Sequence, residues 1–256
     1  MAATIGLSLF LAVIPLRWHP RLYFQDDTEN GAYGVWYHLG QRLISGELPI
    51  LNPSVWSSGN YTAEMQWGTW NPITMLIGVV VYSASDAVVI SSSIKIAFLV
   101  LAAVGAHLLA RSYSVPPSLA FIVGIAVPLN GFTMFFDAPS WVTGEITWAL
   151  LPFFWMELRS LLIGRRNPVW AFVFGYLIVT IGYVAGTVAV GFVLLAVGVD
   201  VLLRRRWVNA VKIGAVGVSL ILVAIVVYLP GVLSAAVTNR SGMVINNDEH
   251  MGVDLS

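Results

Sequence analysis

Long apolar runs, repeated along the whole chain, constrain this sequence more than any other feature. A helix needs about 20 mostly apolar residues to cross the hydrocarbon core of a bilayer. Of the 256 residues, 58% are hydrophobic and only 10% are charged, and the mean hydropathy is +0.82. This composition predicts an all-α polytopic membrane protein. The candidate spans are 1–16, 88–110, 118–136, 146–163, 168–182, 184–203 and 207–229, of which 1–16 and 168–182 are short.

The apolar run at residues 73–85 is too short to cross comfortably, so we predict a re-entrant or interfacial segment there. About seven helices then cross the membrane, with the amino terminus inside and with 17–72, 137–145 and 230–256 outside. Basic residues near span ends fall on one side, as expected for cytoplasmic loops. These residues are Arg111, Arg159, Arg165, Arg166, Arg204, Arg205, Arg206 and Lys212. The sequence thus predicts a multi-pass membrane protein whose long first loop, 17–72, lies outside.

The charge balance and the absent residue types exclude several functions. The chain has 13 basic and 13 acidic residues, so its net charge does not point to nucleic acid. It has no Cys, which excludes disulfides, thiol chemistry and Cys-ligated zinc. It also has no Walker A loop, so a nucleotide-driven transporter is poorly supported.

The first outer segment, 17–72, is long for a connection between spans, and such long loops tend to be functional or disordered. Its five Trp residues argue against a solvated coil. Aromatic and apolar residues recur at helical spacing, followed by Gly46, which is well placed to end a helix. The residues are Tyr33, Trp36, Tyr37, Gly40, Leu43 and Ile44. We therefore predict an amphipathic helix that lies at the membrane surface, aromatic side down.

An acidic cluster of Asp26, Asp27 and Glu29 precedes this helix. Helix starts favour a capping Asp and negative charge, so capping is one interpretation. Capping needs only one carboxylate, however, and adjacent carboxylates near a low-dielectric boundary repel each other. A carboxylate with a raised pKa can take a proton from a hydroxyl, and the pair can hold a divalent cation beside a phosphate. The spacing alone leaves both interpretations open.

The residues after the acidic cluster resemble a known family. The stretch "LISGELPILNPSVWSSGNYTAEMQWGTWNPITMLIG", residues 43–78, is similar to the YfhO-like bacterial membrane proteins of the GT-C glycosyltransferase superfamily. Leu51 stands where that pattern usually has Trp, and Asn60-Tyr61 where Pro is common. The later stretch 146–162 also fits. The matching residues are Gly46, Leu48, Pro49, Asn52, Pro53, Gly59, Gln66, Asn71 and Pro72.

This resemblance implies an inverting sugar transfer on the outer face, from a polyprenyl-phosphate donor to a glycan or lipid acceptor of the cell envelope. It further implies that Asp27 or Asp26, with Asp27 preferred, activates the acceptor hydroxyl or positions a metal. The cofactor would be a divalent cation, Mg²⁺ or Mn²⁺. YfhO-like proteins generally run longer, so we expect 1–229 to be a GT-C-like transmembrane module and 230–256 to begin a missing carboxy-terminal part.

Several other side chains are candidates for substrate binding. Glu64 and Gln66 lie beside Trp67, and aromatic faces next to hydrogen-bonding groups suit a sugar ring, although aromatic interfacial belts have the same pattern. Arg21 and Arg240 are candidate cations for the leaving phosphate, while interfacial anchoring is the alternative for Arg21. His38 projects from the amphipathic helix, where a solvated surface residue is the alternative.

The predicted outer turn "DAPSWVTGE" begins at Asp137 and ends at Glu145. These two acids either end two helices or complete a cation site with Asp27.

Two other functions remain as alternatives. A lipid or polysaccharide transporter or flippase would need polar residues within its spans. The spans 88–110, 118–136 and 207–229 together hold only two Lys and one His, which counts against a polar path through this part. A non-catalytic scaffold of envelope assembly is the third possibility.

Overall fold

In the computed structural model, residues 1–48, 50, 65–163 and 167–234 are described, and their regular structure is helical. Short 3₁₀ turns occur at Ile14–Arg17 and Met65–Trp67, and π-helical turns at Thr28–Ala32 and Thr133–Asp137. The α-helices are α1 (Ala2–Val13), α2 (Tyr33–Ile44), α3 (Pro72–Tyr82), α4 (Ala87–Ser112), α5 (Pro117–Ala126), α6 (Val142–Leu162), α7 (Pro168–Thr180), α8 (Val184–Leu203) and α9 (Trp207–Ser234).

Three of the helices in the described ranges, α4, α8 and α9, are long and apolar enough to cross a membrane. Large apolar side chains stay exposed on two of them, such as Leu203 on α8 and Val226 on α9. A bilayer, unlike water, solvates such surfaces without loss of free energy. The all-helical class predicted from the composition is therefore confirmed for the described residues, and three of their helices suit a membrane. The other predicted spans contain helices that are shorter or, in α6, more highly charged.

The predicted span 118–136 is not one continuous helix. Helix α5 ends at Ala126, and a turn leads to the π-helical turn at Thr133–Asp137. Pro128 explains the break, because it has no N–H group to donate to the carbonyl group four residues earlier. Asn130 then accepts a hydrogen bond from the Thr133 backbone N–H (3.1 Å) and restarts the helical turn.

Helix α6 is the centre of the bundle. It packs against α4 on one side and against α7 and α8 on the other, and α9 covers α7 and α8. Ile146, Leu150, Phe154 and Leu158 lie one turn apart along its buried face. A helix that is apolar on most of its circumference is expected in such a central position.

Helices α2 and α3 form a hairpin outside the set of long helices. The buried face of α2, which includes Trp36 and Leu39, packs against α3, while Tyr37 is exposed. The predicted helix at 33–44 is confirmed, and it ends as expected. Gly46 has a φ of +73°, and the backbone N–H groups of Gly46 and Glu47 bond to carbonyls of the last helical turn. At 11 residues, α3 is roughly 16 Å long, too short to cross.

The bundle has two chemically different ends. At one end, Arg159 lies over the Tyr113 ring at 4.2 Å and Arg206 bonds to the Leu162 carbonyl at 2.6 Å, which brings the ends of α4 and α6 to the start of α9. We call this the basic end. At the opposite end, Asp26 and Asp27 meet the turn before α6. We call that the acidic end.

Candidate functional site

The two carboxylates of the acidic pair are held by one turn of the chain. Asp26 Oδ2 accepts a hydrogen bond from Ser140 Oγ at 3.0 Å, and Asp27 Oδ2 accepts one from Trp141 Nε1 at 2.6 Å. Asp26 has a φ of +50°, a left-handed conformation that Asp adopts more readily than most residues. Both Asp side chains remain exposed. The pair is thus fixed in place yet open to a ligand.

Asp27 occupies the position before the π-helical turn Thr28–Ala32, where capping was one of the two interpretations. Its backbone is in the right-handed helical region (φ −59°, ψ −28°), and its side chain makes no capping hydrogen bond. An N-cap residue typically has an extended backbone, and its side-chain oxygen accepts from a backbone N–H. The interpretation of Asp27 as a helix cap is therefore wrong, and its carboxylate contacts Trp141 instead.

Beneath the pair, Thr28 joins three segments of the chain. Its Oγ1 lies 2.7 Å from the Ser140 carbonyl oxygen and 3.1 Å from that of Pro139. It also accepts a hydrogen bond from Lys95 Nζ at 2.7 Å, and the same ammonium group donates to the Pro139 carbonyl at 2.7 Å. Lys95 belongs to α4 and is fully buried. Helix α4 thereby contacts both segments that form the acidic site.

Two more carboxylates lie buried at this end. Asp137 and Glu145 are 0% and 1% exposed, and within the described ranges no hydrogen bond of ideal geometry reaches their carboxylate oxygens, although the Trp148 side chain lies close to Asp137. Burial raises the pKa of Asp137 to about 6, although Trp148 and the charge of Lys95 both lower it. Burial also raises the pKa of Tyr183, and the charge of Asp137 adds to that rise. Asp137 thus acts electrostatically on both α4 and the start of α8.

Glu145 lies at a helix end, in agreement with one of the two predictions for it, but its side chain is buried. Helix α6 begins at Val142, so Glu145 is inside its first turn and faces the protein interior. Burial raises the pKa of Tyr23, and the charge of Glu145 raises it further. Glu145 therefore lies near the segment that leads into the acidic pair.

The predicted sugar-binding residues Gln66 and Trp67 come close to the same segment. The short helix Met65–Trp67 places the Trp67 ring against Gly31, where an added Cβ would be 2.7 Å from the ring. Gln66 is exposed. The backbone of this short helix rests on Gly182, which has a φ of +87° and where an added Cβ would lie 1.9 Å from the Met65 carbonyl oxygen.

The other predicted binding residues have different surroundings. Arg21 forms an ion pair with Glu29 and lies over the Phe24 ring at 5.6 Å, so part of its charge is already neutralised. His38 is half-buried on α2, and burial and Arg42 lower its pKa while Glu47 opposes them. Glu64 and Arg240 lie outside the described residues.

The acidic pair offers limited ligation for a metal ion. Within the part of the chain that the structure describes, no group of three His, Asp or Glu side chains is arranged to hold one. Asp26 and Asp27 nevertheless supply two exposed carboxylates, each with one oxygen bonded to the turn. This donor set fits Mg²⁺ that takes its remaining ligands from water and a substrate phosphate.

An apolar groove of about 510 Å³ lies between α4, α5 and α6. Tyr113 and Trp155 line it at the basic end, and Thr133 and Trp148 line it near Asp137. The groove therefore runs along the bundle toward the acidic site.

Sequence reasoning missed Lys95 and Thr28 as members of the site. Lys95 within a mostly apolar span was a usable signal, because an ionisable residue inside a membrane helix is a candidate functional residue. Thr28 gave no comparable signal, since its role depends on contacts with residues more than 60 positions away.

Comparison of the chain with protein families, with curated proteins and with solved structures finds no match. The resemblance of residues 43–78 to the YfhO-like group stays a prediction.

Proposed function

We propose that the protein is a membrane glycosyltransferase that moves a sugar from a polyprenyl-phosphate donor to a glycan or lipid acceptor of the cell envelope. One observation carries the proposal. Two exposed carboxylates, Asp26 and Asp27, are each held by a hydrogen bond to the same turn, and Asp27 does not act as a helix cap. Fixed, accessible carboxylates are what acid–base chemistry on a hydroxyl group requires.

In the proposed reaction, Asp27 is the general base. It removes the proton from an acceptor hydroxyl as that oxygen attacks the anomeric carbon of the donor sugar. The bond between this carbon and the phosphate oxygen breaks, and the polyprenyl phosphate leaves with the electron pair. Attack from the side opposite the leaving group inverts the configuration at the anomeric carbon. The Trp141 indole N–H, which bonds to one Asp27 oxygen, leaves the other oxygen for the proton.

Asp26 would hold a divalent cation together with Asp27, with Mg²⁺ or Mn²⁺ as the expected ion. When bound, such a cation supplies positive charge for the developing phosphate. Arg21 would add to this charge only if it left Glu29, with which it now pairs.

The surroundings of the pair support a lipid-linked substrate. Trp67 and the exposed Gln66 are beside the acidic segment, where an aromatic face and an amide suit a sugar ring. The apolar groove that reaches Trp148 matches the prenyl chain in chemistry and in direction. A donor that enters from the bilayer would thus keep its chain in lipid and present its sugar at the acidic end.

The charge asymmetry of the bundle supports the proposed orientation. Arg111, Arg159 and Arg206 lie at the basic end, which the positive-inside rule assigns to the cytoplasm. The acidic end would then face outward in the plasma membrane. In this arrangement the seven crossings would be α1 with the turn Ile14–Arg17, α4, α5 together with the turn Thr133–Asp137, and α6–α9, with the α2–α3 hairpin at the outer surface.

A transporter or flippase is the second candidate, because Lys95, Asp137 and Glu145 are buried charges in or beside apolar helices. Buried ionisable residues line many transport paths. Here, however, all three lie at the acidic end, and the groove that continues toward the basic end is lined mainly by apolar side chains.

The proposal is tested by sugar transfer in membranes that contain the Asp26→Asn, Asp27→Asn or doubly substituted protein. A panel of polyprenyl-phosphate hexoses serves as donor, and Mg²⁺ or Mn²⁺ is added or chelated. We expect Asp27→Asn to lower the rate about 100-fold or more, as for loss of a general base. Asp200→Asn is the matched control, because Asp200 pairs with Arg204 at the basic end. Unchanged transfer in the double variant would refute the assignment.

A further inference from the structure

Lys95 is a fully buried cation in a mostly apolar helix, and it has two specific acceptors. Its Nζ donates to Thr28 Oγ1 and to the Pro139 carbonyl oxygen, both at 2.7 Å. A buried ammonium group is costly unless it is hydrogen-bonded and near opposite charge. The contacts of Lys95 are therefore strong constraints on the two segments that supply the acceptors.

These two segments are the ones that form the acidic site. Thr28 directly follows Asp27, and Pro139 directly precedes the Ser140–Trp141 turn that holds the pair. The Thr28 hydroxyl accepts from Lys95, so its single proton is free for the Ser140 carbonyl at 2.7 Å. The ammonium group and the hydroxyl therefore join the two segments on their buried side, and the two carboxylates join them on the exposed side.

The charge of Lys95 also balances the acids around it. Asp137 and Glu145 are buried, and the Lys95 charge, together with the Trp148 side chain, lowers the pKa of Asp137. Without the ammonium group, two buried carboxylates would lose their nearby cation. Each of them must then take up a proton or reach water, and the Asp137–Trp141 turn opens where Asp137 reaches water.

We propose that Lys95 is a positioning residue for the Asp26–Asp27 pair. Its ammonium group fastens the segment after the pair to the turn that receives it, so the two carboxylates keep their spacing and direction only while this cation is present. The catalytic consequence rests on the proposed sugar transfer, whereas the fastening itself is measurable without any activity.

The fastening is tested by thiol labelling, because the chain has no Cys. Ala138 is 0% exposed and lies in the turn next to Pro139, so Ala138→Cys reports when the turn opens. We expect Lys95→Met to raise its labelling rate with a membrane-impermeant maleimide about tenfold, as for loss of one hydrogen bond to a charged group. Ala171→Cys, buried in α7, reports global unfolding and should label at an unchanged rate.

Lys212→Met is the matched control, since Lys212 is another lysine in an apolar helix and lies at the start of α9. If Lys95→Met fails to accumulate, Thr28→Val provides the test, because it removes the hydroxyl that links Lys95 to Ser140. Thr28→Val should also raise labelling of Ala138→Cys, whereas Thr28→Ser should label at the wild-type rate. The proposal would be overturned if Ala138→Cys labelled no faster in the Lys95→Met and Thr28→Val backgrounds than in the otherwise wild-type protein.

A double-mutant cycle separates positioning from a general structural effect. Lys95→Met and Thr28→Val should each lower kcat about tenfold or more with little change in KM, and the double variant should be no slower than the slower single variant. If the losses of kcat in the two single variants multiplied in the double variant, the proposal would be overturned. If the wild-type protein transferred no sugar, the glycosyltransferase assignment would be refuted. The fastening role would still hold if Lys95→Met raised the labelling rate.

Discussion

The turn between α7 and α8 offers a sharp test of how the site is supported. Gly182 has a φ of +87°, and a Cβ added there would lie 1.9 Å from the Met65 carbonyl oxygen and 2.9 Å from the Gln66 carbonyl carbon. Both neighbours are backbone atoms, so no side chain can rotate away to make room. Because Met65–Trp67 carries the Trp67 ring that packs on Gly31, a shift there also reaches the acidic segment.

The cost of Gly182→Ala has two parts. A non-glycine residue in the left-handed region costs about 1–2 kcal/mol. Overpacking a close contact adds about 1–3 kcal/mol, since the two backbones must separate by more than about 1 Å to reach an ordinary distance. We therefore expect Gly182→Ala to lower the free energy of unfolding by roughly 2–5 kcal/mol.

The assay is thermal unfolding of the purified protein in detergent, followed by the fluorescence of its ten Trp residues. A loss of this size should lower the midpoint by at least about 5 °C. Gly198→Ala is the control, because Gly198 lies inside α8 with no atom within 4 Å of the added Cβ. That change should leave stability equal or higher, by up to about 1 kcal/mol. Equal midpoints for Gly182→Ala and the wild type would refute the close backbone contact.

Two further predictions concern pH and orientation. The pKa of Asp137 is raised to about 6 in the folded protein, so its contribution to stability is complete below the unfolded pKa near 4 and is lost as pH rises through 6. Asp137→Asn should remove this pH dependence of stability and raise the unfolding midpoint at a pH of about 7.5, well above the folded pKa. If the unfolding midpoint of the variant depended more strongly on pH than that of the wild type, the burial of a charged Asp137 would be contradicted. In whole cells, a membrane-impermeant maleimide should label Gln25→Cys, at the acidic end, and should not label Ser118→Cys, at the basic end; both residues are exposed. Labelling of Ser118→Cys alone would show that the topology is the reverse of the proposed one.

The membrane class and most helix positions follow from local patterns in the sequence. Long apolar runs predict α4, α8 and α9 to within a few residues, because a helix in lipid must satisfy its own backbone hydrogen bonds. The amphipathic pattern likewise predicts α2 and its end at Gly46. These features depend on residues close together in the chain.

Features that depend on distant contacts were not predictable in the same way. The run 118–136 is mostly apolar, so its hydropathy predicts one span and does not predict that the helix ends near Pro128. Glu145 sits in a turn-like sequence, yet α6 begins before it and buries it. The acidic pair was predicted to be functional, but its partners Ser140 and Trp141 are more than 110 residues away, and no local spacing encodes that pairing.

Three capped helices in this protein show the geometry that a capping role for Asp27 would require. Asp86 begins α4 with an extended backbone, and its Oδ1 accepts from the N–H groups of Val88 and Val89 at 2.9 and 3.0 Å. Asn71 and Asn167 begin α3 and α7 in the same way, each followed by a Pro at the first helical position. Asp27 has neither the extended backbone nor the capping bond. Side-chain caps of this kind begin α3, α4 and α7, whereas the Asp27 carboxylate accepts its hydrogen bond from Trp141, across the fold, and stays exposed at the acidic end.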